Sequence, residues 1–247
     1  MSRQSVVVSV ALALFSVACT SSGEIGDNGL VRFSFVGDYA NPVDASTPVA
    51  VHTTLRVQLQ HPSAVVDQGT YVQLHLTGKA ISGSTDPEVF PTGIAEYGVY
   101  FSEAGTYELI AMNGNTAVDQ IELTAKDPTA LVFDSDAIVI TNGDKCGDSS
   151  TVSLGDVDLA ENQMAQLTLV PEVDGTPMMG LPALVAGGED ATFDSVASSY
   201  ALTPLTLDVT PTSFGQDVTV TATDLGNNLT AKATLKTHTG QAAVSCN

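Results

Sequence analysis

The segment GTYELIAMNGNTAVDQIELTA, residues 105–125, alternates apolar and polar residues on both sides of an Asn-Gly turn. A second segment, GQDVTVTATDLGNNLTAKATLKT at residues 215–237, has the same plan, with an opening glycine and a turn that contains Gly-Asn. Alternation with period two places one face of a strand on a core, and turns of the Asn-Gly type match the twist of paired strands. Both segments are therefore predicted to be β-hairpins, and their repetition predicts two copies of one architecture.

The rest of the chain from Leu30 onward follows the same alternation. Residues 54–60 (TLRVQLQ) and 71–78 (YVQLHLTG) carry aliphatic residues at every second position, and turn residues such as those in SGSTDP and SEAG separate the runs. Residues 156–168 alone are ambiguous between a strand and a short helical turn. Each half would hold about seven short strands, which is the size of a β-sandwich. The predicted fold class is all-β, with antiparallel sandwiches at residues 30–126 and 127–247.

The closing hairpin of the first half resembles the bacterial immunoglobulin-like (Ig-like) domains that occur in tandem on surface proteins and lipoproteins. The resemblance is carried by AGTY (104–107), by Leu109, Ala111 and Gly114, and by IELTA (121–125). It implies two tandem Ig-like sandwiches, and it supports the fold more than any activity. Antibody hallmarks are missing, because the chain has no tryptophan and the first half has no cysteine pair.

The N-terminal residues MSRQSVVVSVALALFSVAC have the three parts of a secretory signal. Arg3 supplies the positive charge, Val6 to Val17 are nearly all apolar, and the small residues Ser16 and Ala18 precede Cys19. The apolar run of about 12 residues is shorter than the roughly 20 that a membrane-spanning helix needs. Residues 1–18 are therefore predicted to be a cleaved signal peptide.

The segment SVAC followed by TSSGE (16–24) resembles the lipobox of bacterial lipoproteins, which implies that Cys19 is lipidated and becomes the mature N-terminus. The sequence departs from that pattern at Ser16, where leucine is usual, and Ser16 and Ala18 would also suit an ordinary signal peptidase. Residues 19–29 are small and polar, so the prediction is a lipidated cysteine followed by a short flexible tether.

The chain has three cysteines, so at least one has a fate other than a disulfide within the chain. If Cys19 is lipidated, Cys146 and Cys246 remain as a pair, and an oxidising compartment would favour a bridge between them. Closing a loop of about 100 residues would stabilise the fold by up to ~4.7 kcal/mol in the chain-entropy model. Two unpaired thiols or an intermolecular bond are the alternatives.

The charge balance restricts the partners. The chain has 8 basic and 28 acidic side chains, and its net charge of −20 repels phosphate backbones. The basic residues are scattered along the sequence, so we expect no nucleic-acid partner. The expected contacts are the membrane, through the N-terminal lipid, and an unknown protein or polysaccharide of the cell envelope.

Motifs that would indicate catalysis or a cofactor are missing from the sequence. The four histidines form no short-spaced pair of ligands, and neither a G-x-S-x-G elbow nor a phosphate-binding glycine loop occurs. The sharpest acidic cluster contains Asp134, Asp136, Asp144 and Asp148, a weak candidate for calcium that lacks EF-hand spacing. Because turn chemistry alone explains aspartate-rich loops, no catalytic residue, metal site or cofactor is predicted.

These observations favour an exported, non-enzymatic lipoprotein whose Ig-like domains act as a surface binding, adhesion or spacer module. The expected location is a membrane, the outer membrane first, on its periplasmic or cell-surface side. The alternative is a soluble periplasmic or secreted module, without lipid, that binds carbohydrate or other envelope material.

Overall fold

The computed structural model describes residues 24–35, 45–60, 74–136, 138–142, 149–180, 182–196 and 206–242. In these ranges the regular structure is β-strand, apart from one 3-10 turn at Leu154–Asp156. The predicted all-β class is confirmed.

The first half contains nine strands that form two facing sheets. The strands are β1 Glu24–Ile25, β2 Arg32–Phe35, β3 Val49–Ala50, β4 Thr54–Gln60, β5 Leu74–Ser82, β6 Glu88–Gly93, β7 Glu96–Tyr100, β8 Gly105–Asn113 and β9 Thr116–Lys126. One sheet has the order β1-β2-β4-β7-β6 and the other β3-β9-β8-β5. All pairs are antiparallel except β3 with β9. With β2 to β9 as strands A, A′, B, C, D, E, F and G, this is the order ABED against A′GFC of an Ig-like sandwich.

The second half repeats this order. Its strands are β10 Ala130–Phe133, β11 Ile138–Asn142, β12 Ser149–Val152, β13 Asp158–Leu159, β14 Gln163–Val173, β15 Thr176–Pro177, β16 Leu184–Gly188, β17 Ala191–Val196, β18 Thr206–Pro211, β19 Val218–Asp224 and β20 Thr230–Thr237. One sheet runs β12-β11-β14-β18-β17, with β10 and β15 also paired to β14, and the other runs β13-β20-β19-β16. By position in the sheets, β13, β14, β16, β17, β18, β19 and β20 are strands A′, B, C, D, E, F and G of this sandwich. Strands β13 and β20 are parallel, as A′ and G are in the first half. The two tandem Ig-like antiparallel sandwiches are thus present.

Each sandwich has its own hydrophobic core, built by the alternation visible in the sequence. In β4, Leu55, Val57 and Leu59 are buried, and the residues between them are partly exposed. In the second sandwich, Ala165, Leu167 and Leu169 of β14 are buried in the same way. The core of each sandwich therefore lies between its two sheets.

Both predicted hairpins form, but their turns use different residues in the left-handed conformation. Gly114, with φ 58°, turns β8 into β9. Between β19 and β20 the left-handed residue is Asn228, with φ 56°, and Gly226 has no positive φ. Gly226 is instead required by close packing, since a Cβ there would lie 2.7 Å from the His52 carbonyl oxygen.

One segment departs from the expectation, and an ambiguous segment is resolved. Residues 19–29 were expected to form a tether, but Glu24 and Ile25 pair with Phe33 and Arg32, so the first sheet begins at Glu24. The ambiguous segment 156–168 contains no α-helix. A 3-10 turn ends at Asp156 and is followed by β13 and by the first half of β14.

Candidate functional site

The predicted lipidation and disulfide residues, Cys19, Cys146 and Cys246, lie outside the described residues, as do Asp144 and Asp148. Asp134 and Asp136 form a local turn in which the Asp136 backbone N–H donates to Asp134 Oδ1 at 2.9 Å. Within the described ranges, no group of three or more His, Cys, Asp and Glu side chains could hold a metal ion. The calcium hypothesis, two of whose four residues lie outside those ranges, stays untested.

The histidines within the described ranges lie on separate elements. His75 is a partly exposed residue of β5, as expected for the polar side of that strand. His238 follows β20, and its Nδ1 lies 3.0 Å from Asp158 Oδ1 on the exposed surface. His52, with φ 57°, turns β3 into β4, and its Nδ1 lies 3.1 Å from the Tyr100 hydroxyl.

The most developed contact surface is where the two sandwiches meet. We call it the joint, and define it as residues 48–53 of the first sandwich with residues 178–180 and 225–229 of the second. Its backbone pairing is a one-residue strand addition, because Met179 forms a parallel bridge with Val49. The Met179 N–H donates to the Pro48 carbonyl and the Ala50 N–H donates to the Met179 carbonyl, both at 2.9 Å. The second sandwich thus extends the sheet of β3 at its free edge.

The Met179 side chain then enters the core of the first sandwich. It is 1% exposed and belongs to the same buried cluster as Val49, Leu55 and Phe101. A buried methionine of this kind contributes about 1.5–3 kcal/mol relative to an exposed one. The joint is therefore continuous with a hydrophobic core, which distinguishes it from a polar contact between neighbouring domains.

Side chains and glycines of the second sandwich complete the joint. Asn227 Nδ2 donates to the Val51 carbonyl at 3.0 Å and to Asp224 Oδ2 at 2.8 Å, so a buried carboxylate fixes the amide that crosses the joint. Gly226 packs on His52, and at Gly180, with φ 119°, a Cβ would overlap the Thr53 hydroxyl. The B–C and F–G loops of the second sandwich are therefore used to hold the first.

The connection between the sandwiches is short and attached to the second one. Only Asp127, Pro128 and Thr129 separate β9 from β10. The Thr129 N–H donates to the Glu172 carbonyl at 2.7 Å, and the Asp174 N–H donates to Thr129 Oγ1 at 3.1 Å. Proline restricts the connection further, because its ring fixes φ.

At the opposite end of the first sandwich, a buried carboxylate holds the incoming chain. Asp119 on β9 is 1% exposed and accepts hydrogen bonds from the backbone N–H groups of Asn28, Leu30, Val31 and Gln120, at 2.7–2.9 Å. Burial alone would raise the pKa of Asp119, but these four donors outweigh it and lower the pKa below its ordinary value. Asp119 thereby fastens the turn between β1 and β2 to strand G.

The E–F corner of the first sandwich is closed by a tyrosine corner. The buried Tyr107 at the start of β8 donates its hydroxyl hydrogen bond to the Glu103 carbonyl at 2.8 Å. Burial, and then the charge of Glu103, raise the pKa of this phenol. Glu103 itself accepts hydrogen bonds from the N–H groups of Ser84 and Thr85, and these donors lower its pKa.

Sequence reasoning included Tyr107 in the AGTY resemblance but missed Met179 and Asp119. Met178-Met179 was visible as an apolar pair between predicted strands, with a glycine directly after it. Asp119 falls in the same alternation as the buried Ile121 and Leu123, so the pattern places it on the inner face, where an acidic residue is not expected without a partner. A β-bulge between Ala111 and Met112 shifts the register there, which the alternation does not indicate.

No protein-family model matches the chain, and no curated protein matches it. Among solved structures, a fragment of intimin in complex with the intimin-binding domain of its translocated receptor is 15% identical, with a TM-score of 0.28. Domains 5–6 of the S-layer protein SbsC are 15% identical (TM-score 0.30), and the Yersinia pseudotuberculosis adhesin InvE is 12% identical (TM-score 0.28).

These matches cover 78%, 78% and 85% of this chain, and 62%, 94% and 60% of the intimin, SbsC and InvE chains respectively. Since every TM-score is below 0.5, the fold assignment depends on the strand order and register described above. Among the described residues, no helix has both the length and the apolar character needed to cross a membrane.

Proposed function

We propose that the chain is a non-enzymatic, lipid-anchored envelope protein whose two Ig-like sandwiches form a stiff module for spacing or for binding at a surface. The observation that carries this proposal is the joint, in which Met179 of the second sandwich completes the core of the first. The short, proline-containing connection also restricts movement of one sandwich relative to the other. Such an arrangement resists bending, which is what a spacer or a presenting stalk requires.

The anchor in this proposal is a lipidated Cys19, after removal of residues 1–18. The body would consist of the predicted units 30–126 and 127–247, with the first extended to Glu24 by its pairing with Phe33. The proposed location is the outer membrane, on its periplasmic or cell-surface side. Lipid chains on one cysteine would hold the protein there, since each buried methylene contributes about 0.8 kcal/mol and two chains suffice.

We further propose the Cys146–Cys246 disulfide, which the neighbouring described residues support. Asn142 pairs with Gln163, and the Ala242 N–H donates to Asn162 Oδ1 at 2.9 Å, so the two segments that contain the cysteines begin beside adjacent residues, Asn162 and Gln163. Each cysteine lies four residues beyond its attachment point. Four residues span up to about 13 Å, which leaves ample reach for the Cα separation of a disulfide.

The joint also restricts where a partner could bind. The B–C and F–G loops of the second sandwich contact the first sandwich. The corresponding loops bind antigen in antibody variable domains, but here they are not available to a partner. A protein or polysaccharide partner of the envelope would then contact sheet faces, strand edges or the far end of the second sandwich.

Two measurements test the proposed function. Fractionation of cells expressing the native chain and Cys19→Ala should find the native chain in the membrane and the variant in the soluble fraction. Equal membrane retention of both would contradict the anchor. Small-angle X-ray scattering of the soluble body should fit one extended, rigid particle, whereas a Met179→Ala/Asn227→Ala variant should fit only an ensemble of bent forms.

Intact mass before and after reduction tests the disulfide. A gain of two hydrogens in the native chain and none in Cys246→Ser is the expected result, and no change in the native chain would contradict it. Capture of partners from isolated cell envelope by the immobilised body would then identify what the module contacts.

A further inference from the structure

We propose that the end of the first sandwich where the chain enters lies on the bilayer that holds the lipid anchor, and that the exposed apolar side chains Leu30 and Ile94 rest in the lipid interface. We call this end the entry end, and define it as residues 25–30, the β6–β7 turn 93–96 and the β8–β9 turn 113–116. The inference rests on the proposed lipidation of Cys19.

The register of the sheets brings these three segments to one end. Leu59 pairs with Phe33 in β2, and the Leu59 N–H donates to the Ala95 carbonyl, so the β6–β7 turn is level with the start of β2. Asp27 donates its N–H to the Gln120 carbonyl, and the β8–β9 turn lies a few residues beyond that point. The Asp119 hydrogen bonds hold residues 28–31 in place.

Exposed apolar residues are concentrated at this end. Of the seven large hydrophobic residues that are exposed in the described part of the chain, three belong to it: Ile25, Leu30 and Ile94. Ile94 is 92% exposed and Leu30 is 54% exposed. Isolated exposed hydrophobic residues are ordinary on a soluble surface, but three at the end from which the anchor emerges are not explained by packing within the sandwich.

The short segment between Cys19 and Glu24 is the reason to identify the partner of the entry end as the bilayer. Cys19 is five residues from Glu24, and five residues reach at most about 17 Å. Strand β9, with 11 residues, is about 36 Å long, so the anchor cannot place the opposite end of the sandwich at the bilayer in the same way. Asp119 stays charged, but it is 1% exposed and its oxygens are bonded to four backbone N–H groups, so this carboxylate does not itself face the lipid.

The absence of tryptophan from the chain permits a clean test with single reporters. Leu30→Trp and Ile94→Trp report on the entry end, and Val185→Trp, at an exposed position of β16 in the second sandwich, is the matched control. Each lipidated full-length variant is incorporated into phosphatidylcholine vesicles with or without brominated acyl chains, and the vesicles are recovered by flotation.

We expect roughly a twofold loss of emission in brominated vesicles for the reporters at 30 and 94, and none at 185, since interfacial groups sit within about 5–10 Å of the acyl boundary. Flotation without preferential quenching at 30 and 94 would overturn this inference and leave the anchor intact. Failure of the lipid-processed chain to float, or flotation of Cys19→Ala, would overturn the anchor itself and this inference with it.

Discussion

The two sandwiches share one strand order but close their E–F corners with different chemistry. In the first, Tyr107 pairs with Leu123 and its hydroxyl binds the Glu103 carbonyl. At the same register position the second has Val218, paired with Leu235. There the nearly buried Thr237 on strand G donates its hydroxyl to the Gln216 carbonyl at 2.7 Å. In both corners a side-chain hydroxyl therefore donates to a backbone carbonyl, and tyrosine or threonine can provide that hydroxyl.

The contact between the C–D turn and the E–F corner is also made from opposite sides. In the first sandwich Glu103 of the corner accepts from Ser84 and Thr85 of the turn. In the second, Asp190 of the turn accepts from Ser213 and Gln216 of the corner. The same two loops are linked by a carboxylate in both, although the carboxylate has changed loops.

The sandwiches differ most in how far each depends on the other. The core of the first includes Met179 from the second half of the chain, whereas every residue of the second core lies between Leu131 and Leu235. The first sandwich should therefore lose stability when the second is removed or altered at the joint, and the second should be nearly independent.

Met179→Ala tests that asymmetry with the largest expected effect. Truncating a fully buried methionine should lower the free energy of unfolding of the first sandwich by about 2–5 kcal/mol and leave that of the second nearly unchanged. Urea unfolding followed by hydrogen exchange of amides in β8 and β19 measures the two separately. The control is Met179→Leu, which should cost less than about 1.5 kcal/mol. An equal loss in both sandwiches would contradict the asymmetry.

Asp119→Asn should have the next largest effect. The amide NH2 group that replaces one carboxylate oxygen cannot accept a hydrogen bond, so some of the four backbone donors lose their acceptor. We expect a loss of about 2–3 kcal/mol in the first sandwich, by urea unfolding at neutral pH. The folded pKa is lowered, so the contribution of Asp119 is complete above its ordinary value of 3.8 and is lost as the pH falls through the folded pKa. The difference between native and variant should accordingly shrink in acid. A constant difference across that range would show that charge is not the cause.

The fold was predictable from the sequence because alternation and turn residues act locally. TLRVQLQ and the two closing hairpins needed only nearest-neighbour patterning, and the structure places them as expected. Strands such as β3 and β13, with two residues each, are too short to show a period and are defined by parallel pairing with a distant strand.

The joint and the Asp119 contact were not predictable for the same physical reason. Met179 is buried because it pairs beside Val49 and joins the core of the first sandwich, and three of the four donors to Asp119 come from residues 28–31, which turn back onto it. Both depend on long-range register, which composition and spacing do not contain. Tyr107 was found because its family resemblance extends over a contiguous stretch of sequence.

Removing the hydroxyl from each corner compares the two solutions directly. Tyr107→Phe deletes one hydrogen bond to a backbone carbonyl and keeps the shape of the side chain. Thr237→Val also keeps the shape, and it deletes the 2.7 Å bond to the Gln216 carbonyl together with two longer contacts of the same hydroxyl, to the Ser213 carbonyl and from the Gln216 N–H. We expect about 1 kcal/mol of destabilisation for each, confined to the sandwich that carries the change, by thermal and urea unfolding. A large effect for one and none for the other would show that the two corners are not equivalent.

Asp190→Asn carries the smallest expected effect, because the Asp190 carboxylate lies on the exposed surface of the second sandwich. Its φ of 63° is in the left-handed region, which asparagine tolerates and alanine does not. Asp190→Asn keeps the acceptor for Ser213 and should change stability by no more than about 0.5 kcal/mol. Asp190→Ala should cost about 1–2 kcal/mol, because the backbone is strained and the side-chain hydrogen bonds are lost. Equal losses in the two variants, measured by urea unfolding, would mean that the charge of Asp190 holds this corner and that the turn conformation contributes little.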